Sequence, residues 1–183
     1  IMAIMEAHDL MHGPLEALIT ADEETCMYGV NHLAADTLHG DILLNMDNET
    51  MGEFVIGSAG GVNISATMQY KEVAPEAGDI AVKVCLQGLK GGHSGLEINE
   101  GRANANKLMA RFVRQAIADD DARLCSWNGG NMRNAIPRTA SAVLTIPAEN
   151  LDDLKDLVAY CLETFKNEYA GIEDEMEMTI EST

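Results

Sequence analysis

The sequence is poor in positive charge. Its 12 lysines and arginines face 30 aspartates and glutamates, which gives a formal net charge of −18 at pH 7. Phosphate backbones and anionic lipid surfaces attract basic proteins and repel acidic ones. The charge balance therefore disfavours nucleic acid and membrane surfaces as partners, and it is typical of a protein with a solvated acidic surface.

Long apolar runs are also missing. No stretch approaches the roughly 18 apolar residues that are needed to span a bilayer, although 46% of the residues are hydrophobic. A basic leader followed by an apolar segment, the pattern of a secretory signal, is not visible either. The chain starts at Ile1 within an apolar stretch, and we therefore expect it to be the interior of a longer protein.

Cysteine is scarce and widely spaced. Cys26, Cys85, Cys125 and Cys161 form no CxxC pair, the spacing that metal-binding and redox motifs use. Three of the four lie in apolar strand-like or helical patterns, where a free cysteine behaves as a small hydrophobic side chain. The pattern favours free, buried thiols over disulfides, which indicates a reducing compartment such as the cytoplasm.

The first part of the chain has the pattern of an α/β fold. An apolar helix is predicted over residues 1–11, and a Gly-Pro pair at 13–14 ends it. Short apolar runs at 15–20 and 41–47 predict buried strands on either side of a helix that ends near residue 32. Because covered parallel strands have continuous apolar sequences, this order predicts a parallel βαβ unit.

The pattern changes after the glycine-rich stretch GSAGG at 57–61, and a strand is predicted at 62–70. Strands and amphipathic helices then follow in the order βαββαβ, which is the ferredoxin-like, or split βαβ, plan. In the first of these helices, Leu108, Phe112 and Ile117 are expected near one apolar face. The six predicted elements cover residues 79–89, 97–118, 122–130, 140–147, 150–169 and 175–182.

The segment HDLMH, residues 8–12, places two histidines at the i and i+4 positions of the first predicted helix. The zinc-binding HExxH motif has this spacing. However, Asp9 stands where that motif has glutamate, and the helix is expected to end at Gly13. An alternative is that His12 only complements the negative carboxyl end of the helix.

Acidic residues follow both short apolar runs of the first part. Glu23 and Glu24 come after the first run, and Asp47 ends the second. The carboxyl ends of parallel strands are where open α/β sheets place ligands. Neighbouring side chains diverge, so one glutamate could bind a metal while the other takes a proton from water that the metal has activated. Acidic residues after strands are also common helix N-caps, and this alternative stays open.

The stretch GLKGGHSG, residues 88–95, surrounds His93 with glycines. Glycine lets a backbone bend and allows close approach of other groups. The histidine could therefore be presented to another surface, or the glycines could simply connect a strand to the following helix.

Several stretches together resemble a continuous block of the aminoacyl-histidine dipeptidases, a family of cytosolic di-zinc peptidases related to the carnosinases. The resemblance covers nearly the whole chain in matching order. The stretches are LITADEETCMYGV, DILLNMDNE, GSAGG, LKGGHSGLEI, GRANANKLMARF and NGGNMRNAIPR.

The resemblance implies a role for each candidate residue. Glu23 matches the family's general base, and Glu24 and Asp47 match metal ligands. His93 matches a lid histidine that polarises the scissile carbonyl, and Asn134 matches a lid asparagine near the substrate. The implied reaction is hydrolysis of Xaa-His dipeptides such as carnosine by metal-activated water.

The resemblance also implies an architecture. Residues 1–56 would be part of an α/β catalytic domain, and residues 57–183 would be an incomplete lid that also forms a homodimer. The family's remaining ligands for two zinc ions have no match in this sequence, so we expect the chain alone to be inactive. Two alternatives stay open: a related zinc amidohydrolase, such as a deacylase or tripeptidase, or a lid module that acts only in dimerisation through an exposed sheet edge.

Overall fold

A computed structural model of the chain describes residues 1–48, 50–58 and 60–182. The chain forms two compact units, Ile1–Tyr70 and Lys71–Thr183. The domain boundary expected after residue 56 stays a prediction, and the nearby GSAGG stretch includes Ala59, which lies outside the described residues. None of the described helices combines the length and apolar character that a membrane crossing requires.

The first unit contains three short helices and, within its described residues, no strand. The predicted strands at 15–20, 41–47 and 62–70 were therefore wrong. Strands are stabilised by pairing their backbone groups with a neighbouring strand, and the described part of this unit offers none. The predicted helix over residues 1–11 is shorter, because a helix that buries no side chain gains little from packing. The three helices are α1 (Met2–Glu6), α2 (Glu23–Cys26) and α3 (Tyr28–Asn31).

The second unit is a four-stranded antiparallel sheet with two long helices, and a separate short pair of strands. Its long strands lie in the order β3-β5-β1-β6, which is the ferredoxin-like arrangement predicted from the βαββαβ pattern. That prediction is confirmed. The elements are β1 (Asp79–Gln87), β2 (Gly92–His93), α4 (Ala105–Asp119), β3 (Arg123–Gly129), β4 (Ala135–Ile136), β5 (Ala140–Pro147), α5 (Leu151–Glu168) and β6 (Glu177–Ser182).

The register of the sheet follows from the alternation of apolar residues. In β1, Val82, Val84 and Leu86 are fully buried, and they pair across the sheet with residues of β5, as in Val82↔Leu144. Side chains two apart on a strand share one face, so these residues form one wall of the core. Helices α4 and α5 bury their apolar faces in the same core, with Phe112 and Phe165 among its largest members.

The helix predicted over residues 97–118 is divided in the structure. A short 3₁₀ turn, Ile98–Glu100, comes first, and α4 begins only at Ala105. Gly101 takes the left-handed conformation with φ 70°, which ends a helical run. Asn104 caps α4, its side chain accepting a hydrogen bond of 3.2 Å from the amide of Lys107.

The face of α4 differs from the prediction at one position. Leu108 and Phe112 are buried as expected, but Ile117 is 48% exposed. Ala116 is buried instead, because it lies four residues after Phe112 and so on the same side of the helix.

Three cysteines of the second unit are free thiols, as predicted. Their expected burial is confirmed only for Cys161, because Cys85 is half-buried and Cys125 is exposed. Burial raises the pKa of the Cys161 thiol, which keeps it protonated and unreactive. The side chain of Cys26 lies outside the described ones.

Candidate functional site

The predicted site residues divide between the two units. Glu23, Glu24 and Asp47 belong to the first, and His93 and Asn134 belong to the second. The structure gives the two groups very different surroundings.

The carboxylates of the first unit are exposed. Glu23 and Glu24 occupy the first turn of α2, where negative charge complements the amino end of a helix. Asp47 lies in an irregular stretch, and its amide donates a 3.0 Å hydrogen bond to the side-chain oxygen of Asn45. The strands that would have brought the two groups to one sheet edge are not formed here.

A metal site is not assembled in the described part of the chain. Among the residues that the structure describes, no three histidine, cysteine, aspartate or glutamate side chains lie close enough to hold an ion. Glu24 and Asp47 supply the oxygen donors that divalent ions accept, but they do not make a zinc site by themselves. The HDLMH segment does not form one either, because α1 ends at Glu6 and the Nδ1–H of His12 donates to the carbonyl of Gly13.

In the second unit the structure brings His93 and Asn134 together. His93 ends β2, which pairs with β4 so that His93 lies opposite Ala135. The next amide, that of Ser94, donates a 2.9 Å hydrogen bond to the carbonyl of Asn134. The GGHSG loop and the RNAIP segment, which are about 40 residues apart in the chain, therefore form one local surface.

The ring of His93 is oriented by its own loop. Nδ1 accepts hydrogen bonds from the amides of Gly95, at 3.0 Å, and of Leu96, at 3.1 Å. A nitrogen that accepts from amides carries no proton, so the neutral ring carries its proton on Nε2. The imidazole is exposed, and Nε2–H is consequently its hydrogen-bond donor.

The backbone of His93 is held by Glu97. The His93 amide donates to Glu97 Oε2 at 2.7 Å, and the Glu97 amide donates back to the His93 carbonyl at 3.1 Å. The amide of His93, and also the nearby Arg102 guanidinium, hold the pKa of the Glu97 carboxyl below its ordinary value. Glu97 therefore remains ionised and able to accept this bond at neutral pH.

Arg102 completes the arrangement. Its Nη2 lies 2.6 Å from Glu97 Oε1, and its Nη1 donates to the Gly91 carbonyl at 2.7 Å. The Arg102 side chain is only 18% exposed, so these charge-assisted bonds are partly shielded from water.

The glycines of the loop are required by these contacts. Gly92 has φ 141°, and a Cβ added there would lie 2.5 Å from Arg102 Nη1 and 2.6 Å from Glu97 Oε2. Real Cβ atoms do not come that close, so any side chain at residue 92 would displace the ion pair. The glycines thus allow the chain's own charged side chains to approach the backbone, and the loop is anchored rather than loosely presented.

A buried carboxylate fixes the base of the loop. Glu173 is 2% exposed, and its two oxygens accept hydrogen bonds from the amides of Lys90, at 2.8 Å, and Ala103, at 2.9 Å. Arg138 adds a bond of 3.2 Å from Nε to the Leu89 carbonyl. Every such bond joins a side chain to the backbone, and so the two ends of the segment that carries His93 are tied to the rest of the unit.

Sequence reasoning missed Glu97, Arg102 and Glu173. The first two lie within the helix predicted over residues 97–118. Gly101, between them, was the available signal, because a glycine inside a helical pattern often marks its end. Glu173 follows α5 in a polar stretch and carries no signal of burial.

Residues 84–173 match the family model described as peptidase dimerisation domain.

Two individual proteins are similar over the length of the chain. The cytosol non-specific dipeptidase of Escherichia coli (strain K12) is 42% identical over 181 residues, which are 99% of this chain and 37% of that protein. The crystal structure of aminoacylhistidine dipeptidase from Vibrio alginolyticus is 39% identical, with a TM-score of 0.67, and matches 100% of this chain and 37% of that one. The homologues are dipeptidases, and the chain spans a little over a third of their length.

Proposed function

We propose that this chain is part of a zinc-dependent dipeptidase that hydrolyses Xaa-His dipeptides such as carnosine. The observation that carries the proposal is the 42% identity to a dipeptidase over 99% of the chain. The structural similarity to an aminoacylhistidine dipeptidase supports the same reaction class. Both similarities run through both units, so they include the candidate residues of each.

In the whole protein, Glu23 would act as the general base and Glu24 and Asp47 as metal ligands. Bound zinc would supply a water molecule whose pKa is near neutrality. Glu23 would take the proton from the attacking water and give it to the leaving amine. Adjacent glutamates suit this division of roles, because their side chains diverge from one another.

His93 would donate a hydrogen bond from Nε2 to the scissile carbonyl of the substrate. The two amide bonds to Nδ1 support this role, because they leave the ring with its proton on Nε2. A donor that is already oriented stabilises developing negative charge on the carbonyl oxygen without first reorganising. Asn134 would contact the substrate beside it.

The assembly we propose is a cytoplasmic homodimer formed through the second unit. The match to a peptidase dimerisation domain supports self-association, and the name of the E. coli relative supports the compartment. Delivery of His93 to the partner's site has a direct test. Mixing a His93→Ala protein with a Glu23→Gln protein should restore part of the activity if the histidine acts across the dimer, whereas no recovery would contradict such delivery.

A broader dipeptide range is the second candidate, because the E. coli relative is described as non-specific. A panel of dipeptides assayed on the full-length protein, with and without a chelator, separates the two. Xaa-His substrates should be cleaved fastest, and the chelator should abolish turnover. Equal rates across the panel would favour the broad enzyme, and cleavage of only acylated amino acids or tripeptides would indicate a related amidohydrolase.

The role of Glu23 has a sharper test in the full-length protein. Glu23→Gln should lower kcat by about 100-fold or more while the zinc content, measured by atomic emission, stays close to normal. Glu53→Gln removes an exposed carboxylate of the same unit and should leave both unchanged. A retained rate in Glu23→Gln would overturn the assignment of the base.

A further inference from the structure

We propose that Glu97 and Arg102 are positioning residues that hold the His93 imidazole with Nε2–H as its outward donor. The inference rests on the proposed role of His93 in substrate binding, and it adds the groups that set the ring's orientation. Its basis is a chain of contacts that leads from Arg102 through Glu97 to the backbone of His93, and from that backbone to the ring.

The first step concerns the turn between His93 and Glu97. The Glu97 amide donates to the His93 carbonyl, and the Glu97 carboxylate accepts from the His93 amide at 2.7 Å. One residue thus binds both backbone groups of the other. These two bonds fix the backbone of the turn, and it is this backbone that directs the amides of Gly95 and Leu96 at Nδ1.

The second step concerns the orientation of the Glu97 carboxylate. It receives the Arg102 guanidinium on Oε1 at 2.6 Å while Oε2 faces the His93 amide. The guanidinium also donates to the Gly91 carbonyl, which lies two residues before His93. Because a guanidinium is planar and rigid, Arg102 fixes Glu97 and the preceding backbone in one geometry.

The neighbouring Glu100 provides a matched control. Its Oε2 accepts from Arg102 Nε at 2.9 Å and from Nη2 at 2.6 Å, so it shares the same guanidinium. The Glu100 side chain makes no hydrogen bond to the described residues 88–97, and the bond of 3.1 Å from its backbone amide to the Glu97 carbonyl is kept in Glu100→Ala. Removing Glu100 therefore removes a comparable ion pair without touching the backbone of His93.

The first experiment uses the 183-residue chain and does not depend on hydrolysis. We expect NMR order parameters of the His93, Gly95 and Leu96 amides near 0.85 in the parent chain and below about 0.6 in Glu97→Ala. Glu97→Gln keeps one oxygen for the His93 amide but loses the charge, so its order parameters should lie between those of the parent chain and those of Glu97→Ala. Glu100→Ala should have the same order parameters as the parent chain. Unchanged order parameters in Glu97→Ala would overturn the proposal.

The second experiment uses the full-length protein. Glu97→Ala should lower kcat by about 10-fold or more with little change in KM, because a displaced donor acts mainly in the transition state. Glu97→Gln should recover part of the rate, and Glu100→Ala should stay within about twofold of the parent. Added to His93→Ala, the change Glu97→Ala should cost nothing further, since both variants remove the same donor.

The outcomes separate the two proposals. Full activity in His93→Ala would refute the substrate role of His93, while the order parameters would still decide whether Glu97 fixes the loop. Additive losses in the double variant would show that Glu97 acts on the fold in general, and they would overturn its positioning role.

Discussion

The two units of the chain differ most in what they bury. In the second, the apolar faces of β1, β5, α4 and α5 enclose a core that includes Phe112 and Leu144, both 0% exposed. In the first, no described residue is buried, and Leu43 and Phe54 are 79% and 97% exposed. Both have apolar sequences, so composition does not explain the contrast.

The difference lies in the partners that each apolar segment finds. In the second unit the strands pair with one another and the two long helices cover one face of the sheet, all within about 110 residues. In the first unit the short apolar runs have no neighbouring strand among the described residues. A hydrophobic run forms a strand only where a neighbouring strand pairs with its backbone.

The largest effect should come from separating the units. Residues 71–183 alone should unfold cooperatively at nearly the same temperature as the whole chain, because every buried apolar residue of the described chain lies within them. Residues 1–70 alone should show no cooperative transition. Calorimetry of both pieces measures this. Absence of a cooperative transition in residues 71–183 would contradict the conclusion that the second unit contains a complete core.

Matched phenylalanine variants should reproduce the contrast at single positions. Phe112→Ala empties a fully buried site and should lower the free energy of unfolding by about 3–5 kcal/mol. Phe54→Ala changes an exposed side chain and should stay within about 0.5 kcal/mol. Urea unfolding measures both, with the fluorescence of Trp127, the single tryptophan, reporting on the second unit and far-UV circular dichroism on the whole chain. Equal losses would show that the first unit has a core of its own.

Replacing Asp120 should raise the free energy of unfolding, by less than Phe112→Ala lowers it. This residue is 5% exposed, and its Oδ2 has no hydrogen-bond partner in the described structure. Burial raises the pKa of its carboxyl, and the charges of Asp119, Asp153 and Asp121 raise it further. A folded-state pKa above the unfolded one means that ionised Asp120 destabilises the fold at neutral pH.

Asp120→Asn should therefore raise the free energy of unfolding at pH 7 by about 1 kcal/mol. The gain should shrink as the pH falls through the raised pKa and vanish below about 4, the ordinary range of aspartate. Asp119→Asn removes one of the neighbouring charges that raise this pKa, from an exposed residue, and should give a smaller gain in the same direction. Stability curves at several pH values test both, and a gain that does not depend on pH would contradict the cause.

The fold of the second unit was predictable because its patterns are complete. The strand predicted at 140–147 coincides with β5, and the helix predicted at 150–169 differs from α5 by one residue at each end. The alternation of β5 and the apolar spacing of α5 both reflect a core made by the unit itself. The apolar runs at 15–20 and 41–47 indicated burial equally well, but no pattern inside a run specifies its partner strand.

The candidate site was predictable only in part. His93 was found because it is set among glycines and matches a family motif. Its supports were not, because Glu97 and Arg102 act through hydrogen bonds to backbone groups, and these depend on the turn at 93–97 rather than on residue type. A charged side chain in a polar stretch has the same sequence pattern whether it is solvated or folded back onto a loop.

The close contacts at the loop glycines have a consequence for how this surface tolerates mutation. Exposed loops usually accept many substitutions. Here a Cβ at Gly88 would collide with the Glu175 carbonyl, one at Gly91 with the Arg138 side chain, and one at Gly95 would press on the His93 ring at 3.2 Å. Saturation mutagenesis should therefore recover almost only glycine at 88, 91 and 92, so that a segment at the protein's surface accumulates changes as slowly as its core.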